Sequence, residues 1–497
     1  MKWQDGVPFT AKDVAYTYNA IIKYGLSNFG AAMTGIKNAV ATDDTTVVIN
    51  CKYPKADILA MWCPIIPEHI WGTFTKWNDF ERFVNKPPVI GTGPFQVVEF
   101  KKGEYVRAEA NPDYWRGKPK VDEIVFQYYT NQSNMVQDVK SGAIQLAENI
   151  PPGQMPLLRG AANLEAGAHK IKAFDELAFN TYDGPSLGNP VLKDAAFRRA
   201  LAWAVDRDKI VKMAYYGYAE PGTTIFQPNF YDPKLDWHYE PTADEKYGFA
   251  LDKAKAMLDA AGYKLDAQGR RLDKQGKPIA LRLLARQQAP SSQIAGKLIT
   301  NWFTDLGLKI TLSVVDNGVV IDKLYNYEGK TYEPDYDMFL WGWMPSGSDP
   351  TRVVGYFTSD QIENNNDCCW SNKTYDALFE EQERQLDPQK RKELVWQAEK
   401  LFYDEAPYIV LAYPSQLEAW DKTNWTGWTP TPSDGGSVAL VGDNIDNYLK
   451  VHPATAEAAS GGSSRTGALI AVITAVVVIA AIAAVLLRHR GGKAEEA

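Results

Sequence analysis

The feature that most restricts the fold is a strand–helix–strand series in the second half of the chain. The segments KPIALRLLAR (277–286) and LKITLSVV (308–315) are rich in branched apolar residues, which is typical of buried strands. Between them, Ser291 to Leu306 has apolar residues at helical spacing. A further strand, YDMFLWGW (336–343), completes the series. Because this order forms a βαβ-like unit, the sequence predicts a fold in which helices pack on a sheet.

Helices and strands also alternate elsewhere in the chain, without a short internal repeat. Helices are expected at 11–24, 134–141, 194–215, 250–262, 376–385 and 389–403, and strands at 45–50, 95–100 and 408–413. With 497 residues, of which 45% are hydrophobic and 23% charged, the chain can bury a large core in two to four lobes. The expected class is therefore α/β (mixed α+β).

Composition excludes several classes of function. The net charge is −8 and no basic run interrupts the body, so nucleic acid is not an expected partner. Four Cys and five His occur without metal-ligand spacing, so no zinc site and no cofactor are expected. Cys51 and Cys63 are the more plausible disulfide pair, with four free thiols as the alternative. No nucleophile elbow, HExxH or phosphate-binding loop is present in the sequence.

The C-terminal region contains a long apolar run. Residues 467–487 carry no charge over 21 positions, enough for a helix to cross a bilayer of ~30 Å. The flexible stretch 451–466 precedes the run, and the basic tail 488–497 follows it. By the positive-inside rule, we expect a transmembrane helix with the tail in the cytoplasm and the body outside the cell membrane.

The N-terminus begins within a turn that leads directly into a helix. Asp5-Gly6 and Pro8 are turn residues, and Thr10 with Asp13 is typical of a helix N-cap. An exported body requires a signal peptide, and none is found here. We therefore expect the native protein to begin upstream, so that the chain is N-terminally truncated.

Several blocks of sequence resemble, in order, those of the extracytoplasmic solute-binding proteins of ABC importers, in the peptide/nickel/oligopeptide-binding family (family 5). The main blocks are WQDGVPFTAKDVAYTY (3–18), VIGTGPFQVVEFKKGEYVRAEANPDYWRGKPKVDEIVF (89–126), LAFNTYDGPSLGNPVLKDAAFRRALAWAVDRDKIV (177–211), KAKAMLDAAGY (253–263) and the stretch 371–413. Together they extend from Met1 to about Asp421. A single block would be weak evidence, whereas the ordered series is specific.

The resemblance implies a two-lobed fold like that of type II periplasmic binding proteins, with an extra subdomain in the N-terminal lobe. The expected organisation is an N-terminal lobe at 1–178 lacking its first strands, a second lobe at 179–413, a return to the first lobe at 414–450, a linker at 451–466, the transmembrane helix at 467–487 and the cytoplasmic tail at 488–497. The crossings between the lobes are expected at Phe179-Asn180 and Leu411–Tyr413.

Trp343 and Trp341 are the first candidates for ligand contacts. Two-residue alternation places both side chains on the same side of their strand. The resemblance implies that this strand end and the following loop contact the ligand, although Trp341 is more often a core residue. Asn180 and Tyr182 follow the expected hinge and are further candidates, with hinge packing as the alternative.

One position departs from the family pattern. Peptide-binding relatives place an aspartate in the loop after Gly-Trp, where it holds the peptide's ammonium group, and the simplest alignment puts Ser346 there. A hydroxyl group cannot replace a charge-assisted hydrogen bond, which argues against a peptide with a free amine. Asp349 is the candidate substitute, with capping of the loop as part of its Asp-Pro turn as the alternative. The chain has 15 Trp and 26 Tyr, which suits stacking on sugar rings or aromatic groups, with packing in a large aromatic core as the alternative for most of these Trp. Trp370 and Trp237 are second candidates for ligand contacts.

The expected function is a membrane-anchored extracytoplasmic receptor without catalytic activity. It captures a small solute, either an oligopeptide or an oligosaccharide, by lobe closure and delivers it to the permease subunits of an ABC transporter. The alternatives are a secreted, membrane-anchored glycoside hydrolase and a sensor ectodomain. A glycosidase needs two carboxylates ~5–9.5 Å apart, which sequence spacing alone does not reveal.

Overall fold

The computed structural model describes residues 1–30, 33–61, 63–229, 235–345, 347–433, 435–439 and 444–454. The strands in these ranges are β1 (Ile36–Ala41), β2 (Val47–Cys51), β3 (Phe95–Lys101), β4 (Tyr105–Ala110), β5 (Glu123–Gln127), β6 (Leu146–Glu148), β7 (Leu164–Lys170), β8 (Phe174–Phe179), β9 (Ala219–Pro221), β10 (Ala280–Arg286), β11 (Lys309–Val315), β12 (Tyr327–Glu328), β13 (Thr331–Tyr332), β14 (Met338–Trp343), β15 (Tyr408–Asp421), β16 (Trp425–Thr426) and β17 (His452–Pro453).

The helices in the same ranges are α1 (Ala11–Tyr24), α2 (Ser27–Gly30), α3 (Glu68–Trp71), α4 (Trp77–Arg82), α5 (Gln132–Ser141), α6 (Met155–Arg159), α7 (Ala195–Ala202), α8 (Arg207–Ala214), α9 (Leu251–Ala260), α10 (Pro290–Asp305), α11 (Asn317–Leu324), α12 (Thr351–Gly355), α13 (Lys373–Arg384), α14 (Pro388–Glu405) and α15 (Ile445–Lys450).

The predicted βαβ unit is confirmed. Strands β10 and β11 are parallel and are joined by α10, and β14 is parallel to β10 on its other side. Pro290 lies in the first turn of α10, where its missing N–H group costs no helical hydrogen bond. The buried face of α10, which includes Ile299 and Phe303, packs on the sheet.

The central sheet has the order β11-β10-β14-β8-β15-β6, with β7 and β9 also paired to β15. Alternate residues of β8 enter two different cores, because successive side chains of a strand point to opposite faces. Leu177 and Phe179 belong to a cluster with α7, α8, α9 and α10. Phe174 and Ala178 belong to a second cluster with α12, α13 and α14. The sheet is thus covered by helices on both faces.

Strand β15 connects two parts of the sheet. Its first residues, from Tyr408, pair with β8, and its last residues, Ser415–Asp421, pair with β7. Strands β7 and β8 follow each other in sequence and are joined by residues 171–173. The chain therefore passes twice between the two parts, once through 171–173 and once along β15 near Ala412, where the strand register is irregular.

The lobe boundaries remain predictions. The strand pairing can be compared with the two expected crossings between the lobes. Leu411–Tyr413 lies where β15 changes partner from β8 to β9. Phe179-Asn180 lies at the other end of β8, away from the 171–173 link. We therefore favour 171–173 over Phe179-Asn180 as the first crossing.

Smaller elements form the N-terminal part. Strands β1 and β2 form an antiparallel hairpin, and β3, β4 and β5 form a separate three-stranded sheet. The predicted cap of α1 is present, because Thr10 and Asp13 form a reciprocal capping box. A third core cluster, which includes Val136 and Leu158, packs α5 and α6 against the end of β15.

The predicted fold class requires one correction. Its mixed α/β part agrees with the structure, but no helix in the described ranges is both long and apolar enough to span a bilayer. The transmembrane helix expected at 467–487, its linker and its tail fall outside those ranges, apart from the first linker residues. The described residues therefore show the α/β class and no membrane-spanning helix. The four cysteines are free thiols, so the expected Cys51–Cys63 bridge is not present.

Candidate ligand-binding site

The candidate site lies at the edge of the sheet where its parallel strands end. Strands β10 and β14 end at Arg286 and Trp343, and the antiparallel β8 begins beside them at Phe174. In open α/β sheets, ligands bind in the crevice outside the carboxyl ends of the strands. The 171–173 link leads into this edge, so the edge borders the crossing between the two parts of the chain.

The two candidate tryptophans are on one face, as predicted. Trp341 pairs with Glu176 across the strands and Trp343 pairs with Phe174, and both indoles are half-buried against the α12–α14 core. The Arg286 guanidinium lies 4.6 Å from the Trp341 ring centroid, within cation–π range. Each indole therefore retains some accessible surface at the strand ends.

Trp343 is fixed by two aromatic neighbours. Its ring stacks on Tyr356 with centroids 4.6 Å apart and an interplanar angle of 26°. Its Nε1–H donates to the hydroxyl of Tyr408 at 3.2 Å, and that hydroxyl donates to the carboxylate of Asp367. Because its indole N–H is satisfied within the protein, Trp343 has its ring surface, not its polar atom, to offer a ligand.

Asp349 is not a free acceptor. Its two carboxylate oxygens each accept a hydrogen bond from the Arg391 guanidinium at 2.7 Å, and one also accepts from the Thr351 N–H. Burial raises the pKa of Asp349, but the hydrogen bonds and charge of Arg391 outweigh burial and hold it below its usual value. The expected role of Asp349 in holding a ligand ammonium therefore conflicts with its internal ion pair.

The remaining candidates do not meet at this edge. Asn180 is buried at the far end of β8, where its Nδ2 donates to Ser186 Oγ and to the Tyr336 carbonyl. Tyr182 is half-buried against Tyr332, with ring centroids 5.1 Å apart. Trp370 and Trp237 are buried in the α12–α14 core, and Ser346 lies outside the described residues. The structure gives Asn180 and Trp370 packing contacts that support the structural alternatives.

Sequence reasoning missed three charged residues at this edge. Arg286 is half-buried, makes no ion pair with any described residue, and has a buried Nε–H without an acceptor. Asp175 accepts a hydrogen bond from the Tyr215 hydroxyl. Glu176 is fully buried, and neither of its oxygens has a described partner. The sequence feature that could have identified them was the presence of charged residues inside the apolar strand FDELAF (174–179) and at the end of ALRLLAR (280–286).

Burial dominates the electrostatics of these acids. It raises the pKa of Glu176 well above the usual value, and Asp367 and Asp175 add to this while the charge of Arg286 opposes it. Burial also raises the pKa of Asp367 to about 7. In the described part of the chain, no group of three or more His, Cys, Asp or Glu side chains is placed to hold a metal ion.

Comparison with known proteins gives a family and several relatives. A family described as bacterial extracellular solute-binding proteins, family 5, matches residues 1–365. The oligopeptide-binding protein AppA of Bacillus subtilis is 26% identical over 422 residues, covering 84% of this chain and 74% of AppA. Di/tripeptide-binding protein 2 of Pseudomonas aeruginosa is 25% identical over 412 residues, covering 80% of this chain and 70% of that protein.

Solved structures share the fold at lower identity. AppA of Bacillus subtilis in complex with a nonapeptide has a TM-score of 0.75 and 24% identity, covering 91% of this chain and 85% of AppA. A periplasmic oligopeptide-binding protein of Thermotoga maritima with bound mannohexaose also has a TM-score of 0.75, with 21% identity and 91% and 86% coverage. These likenesses concern the fold, and the two ligands differ in chemistry.

Proposed function

Since the chain belongs to the bacterial extracellular solute-binding proteins of family 5, we propose that it captures a short peptide at the edge formed by β8, β10 and β14. It then delivers the peptide to the permease of an ABC transporter. Proteins of this family bind solutes and do not transform them, so the chain is a binding protein and not an enzyme. The glycoside hydrolase alternative is thereby set aside.

The observation that carries the peptide proposal is the state of Arg286. A guanidinium presents five N–H donors and pairs with carboxylates in a fork-like geometry. Arg286 is half-buried over Trp341, has a buried Nε–H without an acceptor, and makes no ion pair with any residue the structure describes. A peptide supplies a carboxylate at its C-terminus or on acidic side chains, whereas a neutral sugar does not.

Lobe closure explains how this edge retains a peptide. The edge borders the 171–173 link and the irregular part of β15, where the chain crosses between the two parts of the sheet. Closing the parts over a ligand removes water, which strengthens the charge-assisted contacts inside. The closed form persists only to the extent that the ligand binds it better than the open form.

Oligosaccharide capture is the second candidate. The two half-buried indoles on one face offer flat apolar surfaces, and a structural relative from Thermotoga maritima holds mannohexaose. This candidate leaves the unpaired Arg286 guanidinium without a role. Comparing sugars with peptides in one binding assay separates the two proposals.

The test measures binding of di- to hexapeptides, their C-terminal amides, and manno-, cello- and xylo-oligosaccharides by calorimetry. We expect peptides to bind, and amidation to weaken binding by about 10- to 100-fold, because a charge-assisted bond contributes ~1.5–3 kcal/mol. Arg286→Gln should bind acids and amides equally.

The matched control is Arg384→Gln, an arginine that is about half exposed, pairs with Glu380 of the same helix and lies over the Tyr53 ring, far from the proposed edge. It should keep the wild-type preference for the acid, and both variants should melt near the wild-type temperature. Binding of sugars without peptides, or an Arg286→Gln variant that still prefers the acid, would contradict the peptide proposal.

A further inference from the structure

A short segment of the N-terminal part, residues 53–57, contacts helix α13. The segment follows the β1–β2 hairpin, and the N–H of Ala56 donates to the carbonyl of Glu383 at 2.8 Å. Helix α13 belongs to the α12–α14 core, on the face of the central sheet that carries Trp341 and Trp343. The contact therefore joins the expected first lobe to the expected second lobe.

The N-terminal part is attached to the part of the sheet that contains β7. Phe95 of β3 contacts Tyr448 of α15, with ring centroids 6.0 Å apart, and Gln4 Nε2 donates to the Phe95 carbonyl at 3.0 Å. Helix α15 follows strand β15 in the chain, and the last residues of β15 pair with β7. Because α13 packs on the part that contains β8, the 53–57 segment connects the two parts at a point outside the sheet.

Lys55 provides the positive charge of this contact. Its Nζ lies 2.8 Å from Asp57 Oδ1 and 3.6 Å from Glu383 Oε1, and its side chain is 1% exposed. The Glu383 side chain is 5% exposed. A buried ammonium group needs a counter-ion, and removing one partner of a buried pair leaves the other charge uncompensated. Lys55 and Glu383 therefore stabilise each other only while the two parts are in contact.

Tyr53 adds a hydrogen bond from the same segment. Its hydroxyl donates to Glu383 Oε2 at 3.2 Å. Its ring lies against Gly35, where an added Cβ atom would be 2.7 Å from the ring, and Gly35 also has a φ of 78°. Only glycine suits both conditions, so the N-terminal part holds the Tyr53 ring in position to reach α13.

The contact is made by polar groups. None of the residues 53–57 belongs to the three core clusters of the described chain. The contact includes a backbone hydrogen bond, a tyrosine hydroxyl and an ion pair. Domains joined by small polar interfaces move relative to each other, unlike those joined by large apolar ones. We therefore expect this contact to form on closure and to break on opening.

We propose that Lys55 and Glu383 are positioning residues that hold the two parts closed over a captured solute. The assignment rests on the proposed capture function and deepens it, because it names the groups that retain the solute after binding. Neither residue is at the edge formed by β8, β10 and β14, so the pair acts on the closed form and not on recognition. A solute that binds the closed form better is released more slowly while the pair is intact.

Hydrogen exchange of the Ala56 amide reports this contact directly, without a solute. The amide is protected while the Glu383 carbonyl accepts its hydrogen. In the unliganded chain, Lys55→Met and Glu383→Gln should each speed exchange of the fragment that contains Ala56, measured by mass spectrometry, by roughly 10-fold. The double variant should exchange no faster than the faster single variant, because the two residues act through one interaction.

Release of solute is the functional readout. The probe is the tightest-binding member of the di- to hexapeptide set. Lys55→Met should raise its dissociation rate by roughly 10-fold and change its association rate by less than about twofold, because the peptide enters the open form before the pair closes. The preference for the free acid over the amide should be unchanged, since the pair does not touch the peptide.

The matched control is Lys12→Met, which breaks an exposed ion pair with Asp44 inside the N-terminal part, where the side chains are 66% and 73% exposed. It should change neither the exchange of the Ala56 fragment nor the dissociation rate. Melting temperatures check that the variants fold. Glu383→Gln, which keeps the volume of the side chain, carries the test if Lys55→Met does not fold.

The results separate this assignment from the proposed function. Unchanged exchange of the Ala56 fragment in both variants, or faster exchange without faster release of the peptide, would overturn the assignment and leave peptide capture intact. A slower association rate with an unchanged dissociation rate would also overturn it. Faster exchange in a chain that binds no peptide would overturn peptide capture and keep the contact between the two parts.

Discussion

Glu176 is the most unusual single residue of the central sheet, because a fully buried carboxyl group here has no described hydrogen-bond donor for either oxygen. Burial raises its pKa well above the usual 4.5. An acid with a higher pKa in the folded chain binds more protons there than in the unfolded chain. Its contribution to stability therefore becomes less favourable as the pH rises above the unfolded value.

We predict that Glu176→Gln raises the free energy of unfolding at pH 7.5 by ~1–3 kcal/mol, because the amide cannot ionise in the buried site. At pH 4 the carboxyl group is protonated in both states, so the variant and wild type should differ little. Urea unfolding of the variant and the wild type at each pH measures these differences in the free energy of unfolding. Glu393→Gln, an exposed control, should have no effect at either pH. If Glu176→Gln changed the free energy of unfolding equally at both pH values, ionisation of the buried carboxyl group would not be the cause.

Sequence reasoning predicted the strand geometry of two candidate residues at this scale. The alternation in YDMFLWGW was sufficient to place Trp341 and Trp343 on one face, since a strand has a fixed period of two. It could not place Asp175 beside Gly342, because that contact depends on the register between strands distant in sequence. It also could not show that Arg391 forms an ion pair with Asp349, because Arg391 lies on α14, which follows two intervening helices in the chain.

At the scale of elements, the Asp349–Arg391 ion pair connects the loop after β14 to helix α14. Both side chains are largely buried, with 18% and 7% of their surface exposed. Arg391 also donates to Gln382 on α13 and to Thr351 on α12, so one guanidinium joins three helices. These helices cover the face of the sheet that carries the two tryptophans.

We predict that Asp349→Asn destabilises the fold by about 3 kcal/mol, because it leaves the Arg391 charge buried without a counter-ion. Guanidinium chloride unfolding at constant ionic strength measures the change. The matched control is Arg384→Gln, which breaks an exposed pair on α13 and should cost no more than about 0.5 kcal/mol. Similar losses in the two variants would show that the buried pair has no special role.

Element boundaries were predictable where apolar runs were long and uninterrupted. Helix α14 was expected at 389–403 and is observed at Pro388–Glu405. Strand β15 was expected only as YIVLAY and in fact continues to Asp421. Its second half, PSQLEAWD, contains a proline and several polar residues, so propensity argues against a strand there. Tertiary pairing with β7 overrides that propensity.

At the scale of the whole molecule, the shared strand β15 limits how the two parts of the sheet can move relative to each other. Because β7 and β8 both pair with it, the two parts of the sheet remain joined while the 171–173 link and the irregular register near Ala412 allow bending. The proposed ligand group, Arg286, lies on the β8 side of that joint. We infer that this side binds first and that the other part closes over the ligand.

Buried acids of two kinds set the pH dependence of the whole fold. Burial raises the pKa of Asp367 to about 7 and that of Glu399 to about 8. Such groups hold extra protons in the folded state, so their contribution to stability is lost as the pH rises from about 4 towards those values. Asp349 has the opposite shift, since Arg391 outweighs burial, and its contribution is lost as the pH falls below about 4.

We therefore predict that the free energy of unfolding is highest near pH 5 and falls towards pH 8, by up to about 1.4 kcal/mol per pH unit for each raised acid. Thermal unfolding from pH 4 to 8.5 at constant ionic strength measures the profile. Asp367→Asn keeps an acceptor for Tyr408 but cannot ionise, so its profile should be flatter between pH 5 and 7. A profile that rises from pH 5 to 8 would mean that these buried acids ionise without penalty.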